Sequence, residues 1–275
     1  MSILNEFQKT GDRARYLWAM YRPLPRNRLR HALPAQLIVS LTSFAQRFGT
    51  LAATLKVLLA QSVVPDRLIL WVGHRDIKKV PKEIYALRKH GLAICATDDI
   101  GPYTKIIPTL DHFPEAFIVT ADDDIYYGST WLQSLVDGYG GDPKEIICRR
   151  AHKVVLDETG KPLPYRQWRR ETDCRARSRL VFPTGAGGVL YPPGCFHRDV
   201  TRRDIFTKLA PHADDLWLFW MAGLNHCSFR RTGLRSRLST WPRTQEHGLW
   251  RRNSMAGGND DQIERLASRY GYPFR

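Results

Sequence analysis

Asp122, Asp123 and Asp124 follow directly on the apolar run 117–121 in the stretch "EAFIVTADDDIYYGSTW". Adjacent carboxylates repel one another, and holding several together raises their pKa unless a cation is present. Mg²⁺ and Mn²⁺ resolve that repulsion, because hard divalent ions favour carboxylate oxygens together with the phosphates of a substrate. In an extended segment residues two apart point the same way, so Asp122 and Asp124 share a side while Asp123 turns to another ligand group. The alternative is an Asp-rich turn whose side chains cap "GSTW". An EF-hand is excluded, since its D-x-D-x-D-G spacing is absent.

A second acid pair, Asp214 and Asp215, opens "DDLWLFWMAG". Acids in the first turn of a helix oppose the positive end of its dipole, which explains one aspartate well and two less well. The functional account makes one of them a general base at the mouth of a site. His247 in "TQEHGLW" and His226 in "LNHC" are candidates for a third metal ligand, although a lone histidine is more often structural.

These residues need elements to position them. "QLIVSLTSF", "RLILWVG", "LAICAT" and "AFIVTA" read as strands. Between the first two, Phe48, Leu51, Ala52, Leu55, Leu58 and Leu59 recur at helical spacing. "PKEIYALRKHG" has proline at a helix start and glycine at its end, and Lys105 to His112 suggests another helix. Strands alternating with helices predict parallel βαβ units and an open α/β sheet. Ligands bind beyond the carboxyl ends of such strands, which is where the three aspartates, Thr42, Ser43, Arg47 and the "DDIGPYTK" loop fall. The second half is irregular, with strand-like "KVVLD", a Gly/Pro-punctuated loop "FPTGAGGVLYPPGCF", a helix in "HADDLWLFWMAG" and a C-terminal helix in "NDDQIERLASRYGY".

The 275 residues suit one large domain, and no repeat or linker divides them. The net charge of +15 points to an anionic partner without choosing among nucleic acid, membrane, nucleotide and acidic polymer. Five scattered cysteines without a CxxC argue against a zinc module or disulfide framework and for a reducing compartment. Without an h-region or a membrane-length apolar run, the expectation is a cytoplasmic protein. Residues 1–34 mix arginines with Tyr16, Leu17, Trp18, Met20 and Tyr21. That pattern suits either an interfacial segment on anionic lipid or a helix docked on the domain with its arginines solvated.

With these residues assembled, the chain resembles the GT-A glycosyltransferases, over roughly residues 36–270 and in order. The resemblance rests on "IVSLTSFAQRF", "GPYTKIIPTL", "VTADDDIYY", "GAGGVLYPPG" and "ADDLWLFWMAG", with "LWRRNSMAGGNDDQ" similar to the tail of bacterial polysaccharide-assembly transferases. It implies a Rossmann-like, mostly parallel sheet flanked by helices. Residues 35–275 would form one domain, with a nucleotide-binding half over 35–130 and an irregular acceptor and catalytic half over 131–275. It further implies a nucleotide-sugar donor, with UDP the prior, and Mn²⁺ or Mg²⁺. The acceptor would be a glycan or lipid-linked glycan, on a peripheral membrane surface if any, and not nucleic acid.

Thr42, Ser43, Arg47, Lys105, Asp122 and Asp123 would then meet the donor nucleotide. Asp122 and Asp124, with His247, would hold the metal, and Arg251 or Arg252 the diphosphate. Gly187 and Gly188 would line the sugar pocket beside Asp215, the expected general base of an inverting transfer, with Asp214 in reserve. The rival expectations are a nucleic-acid binder or metal-dependent phosphodiester enzyme, and a retaining transferase in which Asp214 and Asp215 only cap their helix.

Overall fold

Seven strands build the central sheet of the computed structural model, which describes residues 3–25, 28–233, 238–241, 244 and 258–274. They are β1 (Leu37–Ser43), β2 (Arg67–Gly73), β3 (Leu92–Thr97), β4 (Phe117–Thr120), β5 (Glu145–Cys148), β6 (Val189–Tyr191) and β7 (Ser228–Arg231). Their spatial order is β7-β5-β6-β4-β1-β2-β3. Only β6 is reversed; it runs antiparallel to β4 and β5, while every other neighbouring pair is parallel. The molecule is thus mixed α/β with a mostly parallel, Rossmann-like sheet.

The apolar run of β1 is buried along nearly its whole length, as expected of a parallel strand covered on both faces. Eight helices are described: α1 (Ile3–Tyr21), α2 (Phe48–Leu59), α3 (Lys82–Tyr85), α4 (Ile107–His112), α5 (Trp131–Val136), α6 (Arg203–Leu209), α7 (Asp214–Leu224) and α8 (Gly258–Tyr270). Leu37, Val39 and Leu41 pack with α2 on one face of the sheet. On the other face Val189, Tyr191, Ile146 and Cys148 pack with the Trp217–Ala222 stretch of α7. The strand period of two sets this division, because alternate side chains go to opposite faces.

The first four predicted strands are present. The three short strands β5, β6 and β7 were not predicted, and "GVLYPP", read as loop, contributes β6 to the sheet interior. At three or four residues these runs are too short to show a period of two, and burial on both faces removes the alternation that would mark it. The helix expected from Lys105 to His112 is divided. A 3₁₀ turn, Gly101–Lys105, ends before α4, and Ile106 between them leaves helical geometry at φ −127°.

The N-terminal segment forms α1, which lies along α2. Tyr16 Oη donates to the Gly49 carbonyl at 3.3 Å, Lys56 Nζ donates to the Met20 carbonyl, and Ala19 is fully buried. The docked-helix reading of this segment therefore holds for one face, while Leu17, Trp18 and Tyr21 remain exposed on another. No helix among the described residues is long and apolar enough to cross a membrane.

Candidate active site

Four separate segments meet at the carboxyl end of β4. β4 delivers Asp122–Asp124, the 3₁₀ turn delivers Lys105, the turn before β6 delivers Gly185, and the first turn of α7 delivers Asp214 and Asp215. Lys105 is the hub. Its Nζ lies 2.9 Å from Asp122 Oδ1 and 3.0 Å from Asp214 Oδ2, in a site that leaves the lysine buried. The Gly185 N–H donates to both carboxylate oxygens of Asp215 at 3.0 Å. A Cβ at Gly185 would sit 2.8 Å from Asp215 Oδ1 and 3.1 Å from Lys105 Nζ, so only glycine lets the backbone approach this closely.

A buried polar network sets the height of Lys105. Ser40 Oγ donates to the Lys105 carbonyl at 2.6 Å, and the Trp71 indole N–H reaches Ser40 Oγ at 3.1 Å and Thr109 Oγ1 at 2.8 Å. Tyr103 ties the same turn to the far side of the site, with its hydroxyl donating to the Ala210 carbonyl at 2.6 Å and its ring stacked on Phe206. Every member of this network is paired, which makes it a rigid support in a low-dielectric interior.

Asp123 and Asp124 lie in a turn beyond the end of β4 rather than in extended chain, so Asp122 and Asp124 do not share a side: Asp122 meets Lys105, while Asp124 lies beside Arg47 together with Asp123. The partners of Asp123 are the protein's own. Ser43 Oγ donates to it at 2.6 Å and Arg47 at 2.5 Å; Arg47 also lies 3.5 Å from Asp124 Oδ2. Ser43, Arg47 and Asp123 thereby brace the acidic loop from within. The expectation for these three is contact with the donor nucleotide; in the structure their side chains engage one another. Thr42 is also turned away, donating through Oγ1 to the Trp71 carbonyl at 3.0 Å. Lys105, expected to extend towards a donor, has its ammonium placed between carboxylates instead.

Gly187 and Gly188 are explained by packing rather than by the acids. A Cβ on Gly187 would lie 2.4 Å from Arg150 Cβ, and one on Gly188, whose φ is +90°, would lie 2.5 Å from the Trp131 ring. Gly185 is the glycine of this loop that meets Asp215, and sequence reasoning did not separate it from its neighbours. Trp241 also went unnoticed. Its backbone N–H donates to the Asp124 carbonyl at 3.0 Å and its indole to Thr54 Oγ1 at 2.6 Å, while Thr54 Oγ1 donates to the Asp123 carbonyl at 2.7 Å. No motif marks such a tryptophan. Its partners lie on α2 and the acidic loop, well over a hundred residues away in sequence.

His226 drops out as a metal ligand. It follows the carboxyl end of α7, a helix of eleven residues, whereas Asp214 and Asp215 open that helix, so about 15 Å of helix separates them. His247, Arg251 and Arg252 lie outside the described residues.

The electrostatics follow from crowding. Among the described residues Asp122, Asp123, Asp124, Asp214 and Asp215 share two paired cations, Lys105 and Arg47. Burial and the charge of Asp122 push Asp124 up to about 7. Burial and the charge of Asp214 push Asp215 up to about 7 as well, and burial also raises Asp214. Burial pulls the Lys105 ammonium down, but Asp122, Asp214 and Asp215 outweigh it and hold the group well above its ordinary value. No three His, Cys, Asp or Glu side chains among the described residues form a ready metal cage. Two carboxylates completed by substrate phosphates and water are the usual way of holding Mg²⁺. Asp122 and Asp124 offer two such carboxylates.

The raised pKa values make stability depend on pH. Between about pH 4 and about pH 7 the folded protein keeps protons on Asp124 and Asp215 that the unfolded chain has released. Stability contributed by these groups therefore falls as pH rises through that window, by on the order of 2 kcal/mol for each group once solvent access is allowed for. Thermal melts without divalent ions should show Asp124→Asn and Asp215→Asn more stable than wild type at pH 8. The difference should shrink towards pH 5; variants less stable than wild type at pH 8 would refute it.

No family model matches the chain, and no curated protein matches it. Among solved structures, the inositol-1-phosphate CTP transferase from T. maritima superposes on 86% of this chain and 98% of its own, with a TM-score of 0.42 and 9% sequence identity. A likeness at that level carries no conclusion about this chain.

Proposed function

We propose that the protein is a metal-dependent glycosyltransferase that moves a sugar from a nucleotide-sugar, with UDP the first candidate nucleotide, to a glycan or lipid-linked glycan. One observation carries the reading: a strand-end acidic loop faces a second acid pair across a single buried lysine. A divalent ion would offset charge at such a site and in turn attract a diphosphate. Asp122 and Asp124 would hold the ion, which when bound supplies Lewis-acid stabilisation to the departing nucleoside diphosphate.

The remaining work belongs to the chain's own groups. Lys105 holds Asp122 and Asp214 at a fixed separation. The Gly185 N–H orients Asp215, a half-buried residue beside the buried Asp214. Asp215 accepts the proton of the acceptor hydroxyl as its oxygen bonds to the anomeric carbon. The bond from that carbon to the phosphate oxygen breaks, its electron pair leaving with the nucleoside diphosphate. One displacement of this kind inverts the anomeric centre.

The test is calorimetric titration of UDP, GDP and CDP, each with and without Mn²⁺, on the wild type and on Asp124→Asn. One nucleotide should bind only with Mn²⁺, and Asp124→Asn should abolish that binding while its thermal transition is retained. Binding that ignores both Mn²⁺ and the substitution would remove the metal assignment. If no nucleotide binds at all, the transferase reading fails.

A further inference from the structure

A second site lies away from the acids. The end of α1, the turn that follows it, α2 and the 3₁₀ turn before β3 surround a concavity of about 600 Å³. Arg22, Arg28, Lys56, Lys89 and His90 line it together with Leu24, and no carboxylate is among its described lining residues. Several arginines elsewhere have an acidic partner: Arg47 with Asp123, Arg150 with Glu171, Arg177 with Asp142, Arg230 with Glu145. No ion pair among the described residues ties Arg22, Arg28, Lys56 or Lys89 to a carboxylate. Arg28 and Lys56 are held in place by backbone carbonyls instead, those of Leu59 and Met20. The result is a fixed concentration of positive charge with N–H donors and no counterion among the described residues.

Beside this concavity stands an apolar stripe. Leu17 and Tyr21 are four residues apart on α1, with Trp18 between them on the same side. They are 45%, 82% and 48% exposed, and Leu29, just past the turn, is 62% exposed. The two features are joined, because the Arg22 guanidinium that lines the concavity lies 4.1 Å over the Trp18 ring. Aromatic and aliphatic side chains flanking unneutralised basic groups suit the boundary between acyl chains and headgroups. A soluble anion would engage the basic groups but leave Leu17, Trp18, Tyr21 and Leu29 unexplained.

We infer that the α1 stripe and the adjoining basic concavity form a docking site for an anionic lipid surface, with phosphate headgroups in the concavity and Leu17, Trp18 and Tyr21 among the lipids. α1 runs parallel to α2, since Tyr16 meets Gly49 at its start and Met20 meets Lys56 near its end. The Trp18 ring also contacts Tyr126, two residues beyond Asp124. A membrane along α1 would therefore lie beside the rim of the acidic site. The docking itself holds whether or not that site transfers a sugar.

Sedimentation of the full chain with vesicles tests this. Vesicles of phosphatidylcholine mixed with phosphatidylglycerol should carry the protein down, and vesicles of phosphatidylcholine alone should not. Lys89→Gln should weaken binding by about fivefold, as expected for one basic side chain near an anionic surface. Trp18→Ser and Tyr21→Ser should weaken it in both low and high salt, because their contribution is not screened. Since Lys89, Trp18 and Tyr21 are exposed, unchanged melting transitions should accompany these losses. Equal sedimentation with both vesicle types, or variants that bind like wild type, would overturn the proposal. So would pyrophosphate or a short RNA that binds in solution and loses affinity in Lys89→Gln while the vesicles go unbound.

Discussion

Lys105→Met should destabilise the protein by about 3–5 kcal/mol, the cost of removing one partner from a buried ion pair. The lysine is sandwiched between Asp122 and Asp214 at 2.9 and 3.0 Å, and its side chain is 9% exposed. Methionine fills much the same volume, so little of the loss would come from a cavity. What remains is two carboxylates facing each other without the cation that separated them. Urea unfolding of Lys105→Met and of the Lys105→Met/Asp214→Asn double variant should be compared at pH 8. The second substitution removes one stranded charge and should return part of the loss, a departure from additivity expected within a shared network. If Lys105→Met cost less than about 1 kcal/mol, the lysine could not be the hub of the site.

This dependence also explains what could and could not be read from the chain. The four strands that begin the sheet are apolar runs of four to seven residues separated by recognisable helix and turn signals. The acids of the site stand at ends that such runs define: Asp122 to Asp124 after β4, Asp214 and Asp215 at the start of α7. Their residue types and positions were therefore legible. Their pairings were not. Nothing near Lys105 in sequence indicates that Asp122 and Asp214 will both reach it, since that meeting depends on α7 packing beneath β5 and β6, two strands too short to recognise.

Asp123 shows the limit most plainly. The period of two predicted that it would part from both neighbours, but the chain turns at Asp123 and Asp124, so Ser43 and Arg47 receive Asp123 and Arg47 also reaches Asp124. The glycines tell the same story: "GAGG" announces a tight turn, but which glycine faces Asp215 depends on where Arg150 and Trp131 stand.

Asp215→Asn should cut sugar transfer by roughly 10²–10⁴-fold while donor binding stays nearly intact, the range usual for loss of a general base. Asp214→Asn should behave differently, although the two residues are adjacent and both have raised pKa values. Asp214 is buried against Lys105, so its neutral replacement loosens the lysine and should weaken donor binding before turnover. Asp215 is held by a backbone N–H and partly open to solvent, so its replacement removes a proton acceptor and little else.

The same carboxylate places opposite demands on rate and stability. Transfer requires it ionised, so the wild-type rate should climb with pH through about 7, whereas its contribution to folding falls over the preceding units. Asp215→Asn should remove the pH dependence of the rate together with this residue's share of the pH dependence of stability, leaving the share of Asp124. A variant that lost that share of the pH dependence of stability but transferred at the parent rate would assign the proton to another group and make a retaining mechanism the better account. The anomeric configuration of the product would then decide it.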